Sequence, residues 1–158
     1  MAQVHSSILL AVTKPYEIVP QFKRAPLYHS QESLDIIALV VEVKHRPVFF
    51  MEIQPPASFI YDSRREEADE QMRKYFMDFA GNPAIPILHG VSAFGTRLSF
   101  YECDSATRIF QPELIEAHPP ILADVAPITR WNCDVLQWEG VNRLMDVVNK
   151  VKEMCARL

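Results

Sequence analysis

Three residues in the first third of the chain have the types and spacing to do chemistry together. Glu52 and Gln54 lie two positions apart in an apolar run, so on a β-strand they point the same way. Asp35 stands at the start of the preceding apolar run. If the two runs form a hairpin turning at Lys44-His45, Asp35 falls opposite Gln54 and diagonal to Glu52. The three would then share a face. Carboxylates on strands this apolar are costly unless something compensates them, and a divalent cation is one way to do so. Mg²⁺ takes one or two carboxylates and fills its shell with waters and substrate phosphate oxygens. Such an ion activates a water and steadies charge on a phosphodiester. The backbone carbonyl of Ile53 lies between the two polar side chains and is a further candidate ligand. Gln71, near Ala68 and Tyr75 on the next helix, could face the same end of the sheet.

The elements that must hold these residues are legible in the hydrophobic pattern. Leu34 to Val43 and Val48 to Ile53 are apolar runs around the polar break Lys44-His45-Arg46-Pro47. Two such runs predict a β-hairpin, and their near-continuous apolarity predicts burial on both faces. Ser63 with Glu66 three residues on has the capping-box pattern and predicts a helix start. Ala68, Met72, Phe76 and Phe79 form its apolar stripe, and Gly81 and Pro83 stop it. Residues 4–13 read as a short helix. Tyr16-Glu17-Ile18-Val19 reads as a short strand closed by Pro20. Residues 23–33 form a polar connection. Ile85–Val91 and Arg97–Tyr101 read as a second strand pair. Residues 105–138 are irregular, and 139–157 form a helix with Val141, Leu144, Met145, Val148, Val151 and Cys155 on one face. The sum is an α/β chain: a mixed central sheet with flanking helices, organised as a single domain over 1–158.

Asp35, a hairpin, Glu52-Ile53-Gln54 and a helix holding Gln71 resemble the PD-(D/E)XK nuclease superfamily. The stretch from Val48 to Phe100 (VFFMEIQPP, SRREEADEQMR, PILHGVSAFGTRLSFY) also resembles a group of uncharacterised fungal proteins. The superfamily resemblance implies a restriction-endonuclease-like core of order αβββαβ and metal-dependent phosphodiester cleavage. It implies Asp35 and Glu52 as ligands of Mg²⁺ or Mn²⁺, with Gln54 where Lys is usual. Gln71 and nearby arginines would then position the phosphate. Gln54 departs from the pattern in a way that matters: it can orient a water but brings no charge and no basicity. A catalytically inactive nuclease-fold module is therefore the alternative reading.

Composition narrows the partners. Net charge is −4 in 158 residues, which argues against coating nucleic acid by bulk charge. The partners the sequence admits are DNA or RNA for an active enzyme, a protein for an inactive one, and a second copy of the chain. No run is long enough to span a membrane, and the N-terminal stretch lacks the features of a signal, so a cytoplasmic or nuclear protein is expected. Three cysteines, Cys103, Cys133 and Cys155, show no paired spacing and read as reduced thiols, with Cys103 and Cys155 structural on apolar faces. Among the histidines, His89 reads as a hydrogen-bonded core residue. Trp131 and Trp138 read as core anchors. Arg64, Arg65, Arg73 and Lys74 stand among Glu66, Glu67, Asp69 and Glu70 and read as a solvated face with intrahelical pairs. Lys44 and Arg46 read as solubilising the hairpin tip, and Glu17 as a candidate extra ligand.

Overall fold

The computed structural model describes residues 16–24, 35–117 and 124–158, with the backbone alone described for 21–24 and 35–37. The predicted helix at 4–13 and most of the 23–33 connection lie outside the described residues. Strand β1 (Tyr16–Arg24), β2 (Asp35–Val43) and β3 (Arg46–Gln54) form an antiparallel meander. Helix α1 (Asp62–Phe79) crosses to β4 (Ile87–Phe94), which pairs with β3 in parallel. β5 (Arg97–Asp104) returns antiparallel to β4. Two short strands, β6 (Phe110–Gln111) and β7 (Cys133–Asp134), both pair with β5. Helix α2 (Trp138–Cys155) ends the chain. Among the described residues the result is one seven-stranded mixed sheet with two α-helices. None of these helices is long and apolar enough to cross a membrane.

β1 continues through Pro20 rather than ending there. An edge strand tolerates a residue that cannot donate to the ladder. The β2–β3 turn is at Lys44-His45, both with positive φ (51° and 60°), the conformation of a tight two-residue hairpin turn. Beyond Val48, β3 alternates: Phe50, Glu52 and Gln54 are buried and Phe49, Met51 and Ile53 half-buried.

The two faces of the sheet carry different layers. Phe50 anchors one, packed edge-on against Phe76 and Phe79 and tilted against Tyr75. Ala38, Val40, Met72, Leu88, Tyr101 and Cys103 belong to the same cluster. The predicted α1 stripe holds, widened by Tyr75. The predicted capping box does not form. The helix begins at Asp62, with Tyr61 in the cap position and no side-chain cap bond.

On the other face, Val151 and Cys155 of α2 pack with Val43, Val48 and Ile85, and Leu144 packs with Val91, Ala93 and Leu98. This helix can seat only because residue 140 is glycine. A Cβ there would lie 2.0 Å from the Asp134 carbonyl oxygen.

Candidate functional site

β3 sets Glu52 and Gln54 side by side on the face covered by α1. Glu52 is 0% exposed and Gln54 5%. The Gln54 amide Nε2 donates to Glu52 Oε1 at 2.9 Å. The parallel register puts Ser92 beside Glu52 and Phe94 beside Gln54. Ser92 Oγ in turn accepts the Trp131 indole N–H at 3.2 Å. Tyr75 comes in from α1. Burial pushes its phenol pKa up to about 12, helped by the negative charge of Glu52 and then of Asp78. Gln71, one helical turn before Tyr75, has its Nε2 buried with no hydrogen-bond partner among the described residues. Glu52, Gln54, Gln71 and Tyr75 thus border one layer between the sheet and α1.

The hairpin does not have the register that would pair Asp35 with Gln54. Ile37 pairs with Ile53 and Ala38 with Glu52. The cause is a bulge: Val41 pairs with Phe49 but Glu42 with Pro47, so Val48 is the extra residue. Pro47 cannot donate to the ladder, which confines it to places such as this. A one-residue slip changes which residue meets which across the hairpin. The position across from Glu52 is therefore Ala38, and the Asp35 backbone pairs with Arg24 on its other side. The Asp35 side chain lies outside the described residues. Ile53, half-buried, belongs by alternation to the opposite face, in the layer of Val91 and Ala93.

The arginines of α1 also differ from the expectation of a solvated face. Arg64 does pair with Glu67 at 2.9 Å in the open. Arg65 is buried, and it donates to the carbonyls of Ala126 and Phe59 (2.9 Å each) and to Asp62 and Asp124 (2.6 and 3.3 Å). Asp69, buried too, accepts from Arg73 (2.9 and 3.3 Å), from the Tyr101 hydroxyl (2.8 Å) and from Arg130. Arg73 and Arg130 go on to the carbonyls of Pro112 and Glu113, each at 2.9 Å. This network ties the irregular segment after β6 to α1. Most of its partners lie far away in sequence, so local charge spacing gave no sign of it.

Two other polar groups lie elsewhere. At the hairpin tip, Glu17, Glu42 and His45 bring ligand atoms within 4.8 Å of one another, with Glu17 and Glu42 directly opposed across β1 and β2. His45 Nδ1 is 3.5 Å from Glu17 Oε2. On the α2 face, a cavity of about 390 Å³ is lined by His89, Phe100, Glu102, Arg143 and Lys150 among others. His89 is buried as expected, with Nδ1 3.6 Å from Glu102 Oε2. Burial lowers its pKa, opposed by Glu102 and reinforced by Lys150. Trp131 is a core anchor, but Trp138 is exposed. Comparison with protein-family models, curated proteins and solved structures returns no match for this chain.

Proposed function

We propose that this chain is a restriction-endonuclease-like domain whose hairpin carries a sealed polar pair in place of a hydrolytic centre, so that it works as a binding or regulatory module for a protein partner. The order β1-β2-β3-α1-β4, with β4 parallel to β3, supports the reading through the βββαβ part of the implied core, the leading helix lying outside the described residues. The observation that carries the functional reading is Glu52. Its side chain is wholly buried, one oxygen is taken by the Gln54 amide, and an alanine stands across from it. Mg²⁺ needs near-octahedral oxygens, most of them waters or phosphate oxygens. The described side chains around Glu52 do not suit that shell: an amide N–H sits on the carboxylate and an apolar Ala38 stands across from it. Partner chemistry follows from charge. Arg65, Arg73 and Arg130 are engaged internally, and the net charge is −4, which favours protein over phosphate backbone.

One observation favours the second reading, a Mg²⁺- or Mn²⁺-dependent nuclease acting on DNA or RNA. Gln71 Nε2 is a buried donor with no partner among the described residues, in the same layer as Glu52. A substrate phosphate oxygen would satisfy it. The two readings separate on metal titration and cleavage assays of wild type and Glu52→Gln. The binding-module reading expects no cleavage of DNA or RNA with either metal. Cleavage present in wild type and abolished in Glu52→Gln overturns it.

A further inference from the structure

Helix α2 divides its surface three ways. Val147, Val151 and Cys155 face the sheet. Trp138, Val141 and Met145 stand exposed, although the sequence pattern puts Val141 and Met145 on the buried stripe. On the third flank, Arg143, Asp146 and Lys150 recur at helical spacing and overhang β4 and β5. The cavity of about 390 Å³ lies beneath them, on the opposite side of the sheet from Glu52. That volume is in the range of small-molecule sites.

The charges around this cavity are not spent on one another. Asp146 is three residues after Arg143 and four before Lys150, the spacings at which side chains on a helix pair. Neither pair forms among the described residues. Arg143 instead lies over the Phe100 ring, 4.6 Å from its centroid, and gives one N–H to Cys133 Sγ at 3.2 Å. Its other N–H groups have no partner among the described residues. Two residues on along β5, Glu102 is 46% exposed. Beside Glu102, on β4, is His89, only 4% exposed. Its Nδ1 is 3.6 Å from Glu102 Oε2, too long for a hydrogen bond, and its ring makes none among the described residues. A buried imidazole, kept neutral at pH 7 because burial lowers its pKa, is costly without a partner. A ligand in the cavity would supply one.

The same side chains define that ligand. Arg143 and Lys150 offer two cations and Glu102 and Asp146 two carboxylates, so the lining is neutral in sum and favours a molecule carrying both signs. The Arg143 guanidinium sits over Phe100, and Glu102 lies about 7 Å further along β5. A carboxylate and an ammonium at the two ends of a short hydrocarbon chain match both the charges and the spacing, and Val147 and Pro112 supply apolar wall. We infer that this cavity binds a small amino acid with a terminal amine, of the lysine type, its carboxylate on Arg143 and its terminal ammonium on Glu102.

The test is calorimetric titration of the full chain with L-lysine, ε-aminocaproate, hexanoate and cadaverine. The expected result is saturable binding of the first two at millimolar concentration or below. Hexanoate lacks the ammonium and cadaverine the carboxylate, so each should bind more weakly by about tenfold or more, the scale of one charged hydrogen bond. Arg143→Gln and Glu102→Gln should each weaken L-lysine by a similar factor, with circular dichroism unchanged. Glu102→Gln keeps the shape of a half-exposed side chain, so the fold survives it. No saturable heat with L-lysine or ε-aminocaproate overturns the inference. Hexanoate or cadaverine binding as tightly as L-lysine overturns it too, as does L-lysine binding indifferent to both substitutions.

Discussion

Replacing Asp69 with alanine removes the acceptor on which two arginines and a tyrosine converge. Asp69 is 3% exposed, and its carboxylate takes Arg73, Arg130 and the Tyr101 hydroxyl. Breaking a buried ion pair by deleting one partner costs roughly 3–5 kcal/mol, since the remaining charge stays buried. Here the two guanidinium groups keep the carbonyls of Pro112 and Glu113, which argues for the low end. The abandoned Tyr101 hydroxyl adds about 1 kcal/mol. Asp69→Ala should therefore lose about 3–4 kcal/mol. For a domain of this size that is a fall in Tm of roughly 6–15 °C. Tyr101→Phe, which removes one neutral donor and leaves the ion pairs, should lose only about 1 kcal/mol. Urea denaturation of the three proteins, with m-values compared, measures this directly. A loss below about 1 kcal/mol for Asp69→Ala, or one no larger than that of Tyr101→Phe, would refute the view that this hub holds the segment after β6 onto α1.

Two further outcomes follow from burial. Tyr75 has a folded-state pKa of about 12 against an ordinary 10.0, so the unfolded chain gives up its proton first. Its contribution is intact below pH 10 and is lost as pH rises toward 12, by about 2–3 kcal/mol. Tyr101, raised for the same leading reason, adds to that loss. Tyr75→Phe should flatten the alkaline limb of a stability–pH curve, and an unchanged limb counts against the burial argument. Gly140→Ala puts a Cβ 2.0 Å from the Asp134 carbonyl oxygen, a backbone atom that cannot swing aside. It should cost about 2–3 kcal/mol by the usual scale of overpacking. A melt within error of wild type would mean that α2 reseats freely.

The hairpin and α1 were legible because their signals are local. Two apolar runs around Lys44-His45 specify a hairpin, and Ala68, Met72 and Phe76 specify a helix face. The register was not legible from the same count. It turns on Pro47, whose missing N–H coincides with the bulge at Val48 and moves Ala38 opposite Glu52. Proline in a strand was the available clue. Arg65 and Asp69 read as surface charges because their nearest sequence neighbours are charged, whereas their partners include Ala126 and Arg130, some sixty residues on. The α2 stripe reads as one face because Val141 and Met145 are apolar and correctly spaced. Only the sheet decides which side of a helix it covers. Glu52 and Gln54 do share a face as strand alternation requires, but alternation says nothing about exposure, and exposure decides what a carboxylate can bind.

Calorimetric titration of Mg²⁺ and Mn²⁺ into wild type and Glu52→Gln bears most directly on that point. The hairpin-tip group of Glu17, Glu42 and His45 contributes equally to both proteins, so the difference between them isolates Glu52. The sealed-pair account predicts superimposable isotherms. Saturable binding in wild type that disappears in Glu52→Gln would contradict it and make Glu52 a metal ligand.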